Sequence, residues 1–371
     1  MLEAARPLRA ARSVLIHPVG VTRVVLGTGR FLRAVLPALR RASGARILFQ
    51  WHGGIGDTVC SFPAVLALRR KFPGAAIVYR VPAGRGEIAR MGRVADVVVE
   101  ERVWPAPLPL FCGALFDMVI EPFLEEEKPT GMTPVHLVDE FCLQTGVTTT
   151  DRQPRITVSR DVSERVRSQL LAAGEHRPLV AIHTSTYWKV KGWGEDRWRE
   201  LVKWLVNERQ ARVIQLGTDF EVNGSMTRVT RIEGALDYVG RFSMEETAAC
   251  IQACDLLIGI DSALLHVAGA VGTPCVGLFG PLDPALRLPP ETPSIGVVGD
   301  VPCLGCHHRH PIAHWRDDCP MHIACMKAIG VAQVAAACDK LLERKRDSFA
   351  PPRNREVRAP LAEASDAPCG S

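Results

Sequence analysis

The segment ILFQWHGGIGDT, residues 47–58, begins as a short apolar run and continues into a glycine-rich loop that leads to Asp57. Short apolar runs bounded by turn residues are typical of buried β-strands. Glycines let the backbone turn sharply, and the start of a helix leaves its first N–H groups unpaired for a ligand. The segment therefore predicts a strand, a ligand-binding loop and a helix, in that order.

Short apolar runs alternate with helical patterns along the chain, and this alternation predicts the fold class. The expected strands are 47–51, 76–80, 97–99 and 118–120 in a first series, and 179–183, 212–217, 256–260 and 275–279 in a second. The expected helices among them are 58–72, 197–208, 244–253 and 263–271. This alternation predicts an α/β fold with two doubly wound parallel sheets and a cleft at the carboxyl ends of their strands. The join between the two is expected between Thr148 and Val158, which is a polar stretch.

The positive charge of the chain is concentrated at its N-terminus. The 371 residues include 45 Lys and Arg against 40 Asp and Glu, and residues 1–46 hold nine of the arginines with one acidic residue. That segment carries +8, so the other 325 residues carry −3. The composition excludes a disordered tail protein, a collagen-like fibre and a small disulfide scaffold. Nucleic-acid binding is disfavoured because the basic residues are confined to one arm.

The basic N-terminal arm, residues 1–45, has the pattern of an amphipathic helix. At 100° per residue, arginines 23, 30, 33, 40 and 41 lie on one side, opposite an apolar side that includes Phe31, Val35 and Leu39. Such a helix can lie on an anionic membrane surface or dock its apolar side on the body of the protein, and both alternatives stay open. Since no apolar run of 18 residues and no secretory signal are found, we expect a cytoplasmic protein, peripheral at the inner face of the cytoplasmic membrane.

Asp57 and Lys191 are candidates for the chemistry of the cleft. Asp57 stands at the start of a predicted helix, where it either caps that helix or projects into the cleft as a general base. Lys191 follows the strand that ends in the polar run His183-Thr184-Ser185-Thr186. Hydroxyls and a lysine beyond a strand end suit a diphosphate, although a surface lysine beside a core tryptophan is the simpler interpretation.

A third motif, Asp261-Ser262-Ala263-Leu264-Leu265-His266, ends one strand and opens a helix. The side chain of Ser262 and the first amides of that helix can face an anion. His266 lies one helical turn beyond Ser262 and on the same face, so it is either a core histidine or a ligand-binding one.

From about Arg46 to Lys345 the chain resembles glycosyltransferase family 9, the ADP-heptose:lipopolysaccharide heptosyltransferases. Separated motifs carry the resemblance in the family's order: Gly56-Asp57 with Phe62-Pro63-Ala64, Lys191-x-Trp193, Glu221 after Gly217, Asp261 to His266 with Gly272-Thr273-Pro274, and Leu278-Phe279-Gly280-Pro281-x-Asp283-Pro284. The resemblance implies the GT-B fold, in which an acceptor domain and a nucleotide-sugar domain face each other across a cleft.

The resemblance also implies an activity and a set of roles. The implied activity is inverting transfer of a heptose from ADP-heptose to a lipopolysaccharide-core or related lipid-linked glycan acceptor, with no cofactor for catalysis. Asp57 is implied as the general base and Lys191 as a catalytic charge on the leaving diphosphate. The implied donor-binding residues are Thr186, Lys191, Glu221, Asp261, Ser262, Ala263, Leu264 and His266.

Two other functions fit the same residues. The protein could be a GT-B enzyme for another nucleotide sugar, since no motif identifies the sugar, or an inactive nucleotide-binding scaffold. The presence of Asp57 and Lys191 argues against the scaffold, which needs neither. The missing dinucleotide-binding fingerprint disfavours a dehydrogenase.

Four cysteines near the C-terminal end form a candidate metal site: Cys303, Cys306, Cys319 and Cys325. A Cys-x-x-Cys pair can supply two corners of a tetrahedral thiolate site, and zinc and iron both accept such ligands. The alternative is four reduced thiols or two disulfides. We expect a structural site away from the chemistry.

The expected domains follow from these assignments. Residues 1–45 form the basic arm, 46–155 the N-terminal acceptor-binding domain, and 156–347 the C-terminal nucleotide-sugar-binding domain that includes the cysteine cluster 303–325. Residues 348–371, rich in proline and scattered charge, form a disordered tail.

Overall fold

The computed structural model of the chain describes residues 18–101, 113–123, 134–171, 178–185, 187–222, 225–308 and 319–349. For residues 18–28, 101, 220–222, 225–227 and 344–349 it describes the backbone alone. The predicted tail lies outside these residues except for Ser348 and Phe349, which end the last helix.

The first sheet has four parallel strands, and helices pack on both of its faces. Its strands are β1 (Arg46–Gln50), β2 (Ala76–Pro82), β3 (Val97–Glu101) and β4 (Met118–Ile120), in the spatial order β3-β2-β1-β4. The helices of this half are α1 (Pro18–Arg41), α2 (Ile55–Cys60), α3 (Phe62–Lys71), α4 (Gly86–Met91) and α5 (Leu137–Gln144).

The second sheet is larger and also parallel. Its chain contains β5 (Leu179–His183), β6 (Arg212–Leu216), the antiparallel hairpin β7 (Phe220–Val222) and β8 (Ser225–Thr227), β9 (Leu236–Asp237), β10 (Leu256–Ile260), β11 (Cys275–Phe279) and β12 (Ser294–Val298). The sheet order is β12-β11-β10-β5-β6-β9. Its helices are α6 (Arg160–Leu171), α7 (Glu195–Glu208), α8 (Met244–Ala253), α9 (Ala263–Val271), α10 (Ala324–Lys327) and α11 (Val331–Phe349). The predicted α/β class with two parallel sheets is confirmed.

One predicted helix is wrong in its bounds and its continuity. The sequence pattern favoured a single helix over 58–72, whereas the chain forms α2 from Ile55, breaks at Ser61, and resumes as α3 at Phe62. Pro63 has no N–H to donate to the preceding turn, so the helix cannot run through this point unbroken. The break at Ser61 separates α3 from α2, and α2 packs on α9 of the second half.

Helix α1 docks its apolar side on the first sheet. Phe31, Val35 and Leu39 are buried in one cluster with Leu48, Val78 and Val99 of the strands. Four arginines of this helix are solvent-exposed: Arg30, Arg33, Arg40 and Arg41. Of the two alternatives for the arm, the structure shows docking over residues 29–41, with the basic side facing outward.

The two halves share buried contacts beside the cleft. Helix α2 packs directly on α9, and both contribute to one continuous hydrophobic core. The carboxylate of Glu87 on α4 accepts hydrogen bonds from the first two backbone N–H groups of α8, at 3.2 Å from Met244 and 3.0 Å from Glu245. The connecting segment is tied down as well, since Gln153 Nε2 donates to the carbonyl of Gly269 at 2.7 Å.

Candidate functional site

A cavity of about 820 Å³ lies at the carboxyl ends of the strands of both sheets. From the first half it is lined by the loop His52 to Asp57 and by Arg85. From the second half it is lined by His183, Ser185, Lys191, Asp261, Ser262, Ala263, Leu264, His266 and Arg287. Residues more than 200 positions apart in the sequence thus border one space.

Asp57 both bonds to the start of its helix and lines the cleft, which are the two positions that the sequence left open. It is the third residue of α2, and its Oδ2 accepts a hydrogen bond from the backbone N–H of Gly54 at 2.9 Å. The same side chain lines the cleft. Asp57 therefore stabilises the start of its helix and also presents a carboxylate to a ligand.

Gly56 explains why α2 can lie so close to α9. A Cβ atom at this position would lie 2.7 Å from Cδ2 of His266 and 3.1 Å from Cα of Ala263. Both distances are shorter than a carbon–carbon contact normally allows. Any larger residue would push the two helices apart and move Asp57 away from the second half.

Lys191 is held by Asp261 inside the cleft. Its Nζ lies 2.6 Å from Oδ2 of Asp261, and the two side chains are only 13% and 7% exposed. The Nζ also lies 4.2 Å from the ring centroid of Trp188, within range of a cation–π interaction. Burial by itself would raise the pKa of Asp261, but the charge of Lys191 and its hydrogen bond outweigh this effect and keep the pKa below its ordinary value.

His183 contacts the hydroxyl groups of two serines that line the cleft. Its Nδ1 lies 2.8 Å from Oγ of Ser262, and its Nε2 lies 3.1 Å from Oγ of Ser185. Burial lowers the pKa of His183 to about 4, so the ring is neutral near pH 7. Because the Ser262 side chain bonds to His183, it makes no capping bond to α9. The first amides of α9, at Ala263 and Leu264, therefore have no cap from Ser262 and border the cleft.

His266 lies deeper in the same site. Its Nδ1 lies 3.2 Å from Sγ of Cys60, and both residues are buried. Burial lowers the pKa of His266 to about 4 and raises the pKa of the Cys60 thiol well above its ordinary value.

Two arginines of the cleft were not found from the sequence. Arg287 follows a short 3-10 turn, Pro284–Leu286, directly after the motif that ends at Pro284. The sequence feature that could have identified Arg287 was its position shortly after that motif. Arg85 precedes α4, and its Nε is buried without a hydrogen-bond partner among the described residues. No motif surrounds Arg85, so only the fold could place it here.

Two expected donor residues cannot be located at the side-chain level. Thr186 lies outside the described residues, and Glu221 lies in β7, where the backbone alone is described. The seven other predicted active-site residues, from Asp57 to His266, all line the one cavity.

The four cysteines of the candidate metal site line a second cavity, of about 360 Å³. The ten cysteines in the described part of the chain are all free thiols, which excludes disulfides among these four. Among the described residues, no group of three or more His, Cys, Asp or Glu side chains is placed to hold a metal ion. The thiols share a cavity, but their present positions do not form a ligand shell.

The cysteine cavity adjoins the cleft, although we expected the cluster to lie away from the chemistry. His307 lines both the cysteine cavity and the cleft, and its ring centroid lies 5.2 Å from that of Trp188. Val190 also lines the cysteine cavity, while its neighbour Lys191 lines the cleft. The two cavities are therefore neighbours that share His307 as a lining residue.

None of the helices in the described ranges is both long enough and apolar enough to cross a bilayer.

Comparison with known proteins finds relatives for part of this chain. The model of Glycosyltransferase family 9 (heptosyltransferase) matches residues 134–314. Lipopolysaccharide heptosyltransferase 1 of Pseudomonas aeruginosa is 26% identical over 140 residues, which cover 38% of this chain and 39% of the relative. Across the curated relatives, the matched segments span from about a third to about half of their length.

Solved structures share the fold over most of the chain. Escherichia coli ADP-heptose lps heptosyltransferase II superimposes with a TM-score of 0.60 at 15% identity, covering 81% of this chain and 99% of that one. The iron-containing dodecameric glycosyltransferase TibC of enterotoxigenic E. coli superimposes with a TM-score of 0.61 at 16% identity, covering 83% and 81%. TibC has also been solved in complex with ADP-D-beta-D-heptose. The fold is therefore GT-B, as expected, and residues 134–314 match the model of glycosyltransferase family 9.

Proposed function

We propose that this protein transfers a heptose from ADP-heptose to a lipopolysaccharide-core or related lipid-linked glycan, with inversion at the anomeric carbon. The observation that carries the proposal is the single cleft that holds Asp57 opposite Lys191, Asp261 and the start of α9. A base from one half and an anion-binding set from the other are what a single displacement between two sugars requires. The relatives are lipopolysaccharide heptosyltransferases, which supports the same class of donor and acceptor.

The proposed reaction is one displacement. The acceptor hydroxyl attacks the anomeric carbon from the face opposite the diphosphate, and the bond from that carbon to the phosphate oxygen breaks as the new bond forms. The hydroxyl proton passes to the carboxylate of Asp57, and ADP leaves with the electron pair. Lys191 and the first amides of α9 oppose the negative charge that grows on the leaving phosphate. These steps use side chains and backbone N–H groups of the protein.

Charge balance gives Arg287 a part in donor binding. The charge of Lys191 is matched by Asp261 at 2.6 Å, so this pair alone brings no net positive charge to a diphosphate. Arg287 lines the same cleft and lies close enough to help lower the pKa of both Asp261 and His266. We assign it the additional positive charge beside the bound diphosphate, with Glu221 and Thr186 kept as proposed contacts to the nucleoside and phosphates.

Thermal unfolding with a panel of nucleotide sugars tests the donor. ADP-heptose at 100 times its dissociation constant should stabilise the native state by about 2.7 kcal/mol, while UDP- and GDP-sugars should not. Release of ADP in the presence of a lipopolysaccharide-core acceptor then tests transfer. Stabilisation by a UDP- or GDP-sugar instead would favour the enzyme of another donor, and stabilisation without any turnover would favour the inactive scaffold.

Asp57→Asn separates the two functions of this residue. The amide oxygen can still accept the hydrogen bond from the Gly54 N–H, but the side chain can no longer take a proton. Turnover should fall by about 10²–10⁴-fold, the usual contribution of a positioned base, while the affinity for ADP stays within about two-fold. Steady-state kinetics and calorimetric titration with ADP measure the two quantities.

Asp57→Ala is the matched comparison for that experiment. It removes the base and the helix-start hydrogen bond together, so it should lose about 1 kcal/mol of stability in addition to activity. Wild-type turnover in Asp57→Asn would exclude Asp57 as the base.

We extend the proposal to a structural metal in the cysteine cavity. Thiolates suit zinc and iron, and all four cysteines line one cavity, which is where we place the metal. Elemental analysis of purified protein should find one equivalent of zinc or iron, and Cys303→Ser with Cys306→Ser should lose it. Cys250→Ala, a buried thiol outside this cavity, should keep the metal. Protein with no stoichiometric metal would contradict this assignment.

The basic side of α1 supports a peripheral location at the inner face of the cytoplasmic membrane. Its apolar side is already covered by the sheet, so any membrane contact through residues 29–41 must be electrostatic rather than insertive. Each arginine near an anionic surface contributes about 1 kcal/mol. Changing Arg30, Arg33, Arg40 and Arg41 to Gln should weaken co-sedimentation with anionic liposomes by about 10²–10³-fold, and zwitterionic liposomes should bind neither protein.

A control for that experiment changes arginines on another surface. Arg160→Gln with Arg167→Gln alters two exposed residues of α6 and should leave liposome binding unchanged. Equal binding by the α1 variant and the wild type would refute the membrane role of this helix.

A further inference from the structure

Cys60 and His266 form a buried pair across the contact between the two halves. Cys60 is the last residue of α2, and His266 is the fourth residue of α9. The Sγ and Nδ1 atoms are 3.2 Å apart, and the residues are only 1% and 8% exposed. Neither the sequence motifs nor the proposed mechanism gave Cys60 any role.

The protonation states of the pair decide which atom donates. Burial keeps the thiol protonated and the imidazole neutral near pH 7, because it raises the pKa of Cys60 and lowers that of His266. Asp57 and Asp261 raise the pKa of His266, and Arg287 and His136 lower it. A thiol is a weak donor and its sulfur a weak acceptor, whereas the bare nitrogen of a neutral imidazole is a good acceptor. The S–H group of Cys60 therefore donates to Nδ1.

This direction fixes the other ring nitrogen. A neutral imidazole carries one proton, so an unprotonated Nδ1 places that proton on Nε2. His266 lines the cleft and Cys60 does not, so we infer that the ring reaches the cleft by the edge that carries Nε2. The Nε2–H group would there be an uncharged donor on the same helix as the first amides of α9.

We propose that Cys60 is a positioning residue that locks His266 in its Nε2–H tautomer, so that the ring donates a hydrogen bond to the leaving diphosphate. The other tautomer would present a lone pair to that anion and repel it. The role of the hydrogen bond in donor binding rests on the proposed function, whereas the tautomer itself does not. The class of ligand that this edge recognises is a nucleoside diphosphate.

Nitrogen-15 NMR of histidine-labelled protein without ligand measures the tautomer directly. His266→Gln identifies the signals of His266 by their loss. In the wild type, Nδ1 should resonate as an unprotonated nitrogen and Nε2 as a protonated one. Cys60→Ala should shift both signals toward a mixture of tautomers, and Cys60→Ser should restore the wild-type pattern because its hydroxyl can donate in place of the thiol.

Matched variants distinguish this role from simple packing. Cys142→Ala removes another buried thiol of the first half and should leave the His266 signals unchanged. ADP should bind Cys60→Ala about 2- to 10-fold more weakly than wild type, the usual value of one hydrogen bond, and should bind Cys60→Ser normally. Thermal unfolding of each variant shows that it is folded at the temperature of measurement.

The outcomes are separable from those that test the proposed function. A protonated Nδ1 in the wild type, or an unchanged tautomer in Cys60→Ala, would overturn the proposal even if the protein transfers heptose. If wild-type protein binds no ADP, the donor assignment fails, and the tautomer measurement then decides the role of Cys60 alone.

Discussion

The close packing of α2 on α9 is the constraint on which the site depends. It is possible because Gly56 has no side chain, and it brings together helices that belong to different sheets. Asp57 is the next residue after this contact, so its position relative to the second half is fixed by backbone packing rather than by a long flexible side chain. Glu87 adds a second tie, since its carboxylate caps α8 from the other half. A carboxylate placed in this way has little freedom to lose when a ligand binds.

Electrostatically, the cleft is more balanced than its residue types suggest. Lys191 is paired with Asp261, and the lowered pKa values of His183 and His266 keep both rings neutral near pH 7. Many of the groups that the second half contributes to the cleft are therefore uncharged hydrogen-bond donors, and neighbouring groups hold them in place. Fixed neutral donors in a partly dehydrated site stabilise developing charge without having to reorganise during the reaction. Arg287 and Arg85 supply the positive charge that the motifs do not.

The cysteine cavity lies next to the cleft. Trp188 contacts Lys191 on one side and His307 on the other, and His307 borders both cavities. A movement of the cysteines would therefore displace the rings of His307 and Trp188 before it displaced Lys191. Through these contacts the proposed structural metal would affect the position of Lys191, but it would take part in no step of the proposed reaction.

The sequence by itself determined the class of fold and most of the site. Strand and helix periodicity marked β4, β5, α8, β10, α9 and β11 at their observed bounds, and the motifs named seven of the residues that line the cleft. These features are local, because periodicity and helix starts depend on neighbours a few positions away. The break at Ser61 was missed because the amphipathic pattern runs through it and hides the effect of Pro63.

Only the tertiary structure decided which residues meet. The pairs Cys60 and His266, His183 and Ser262, and Lys191 and Asp261 join positions separated by 206, 79 and 70 residues. It also settled that α1 lies on the sheet over residues 29–41, and that the cysteine cavity shares His307 with the cleft. An amphipathic pattern shows that a helix has an apolar side but not what covers it, and no local spacing encodes a contact between distant segments. Those choices depend on how the two parallel sheets pack against each other through α2 and α9.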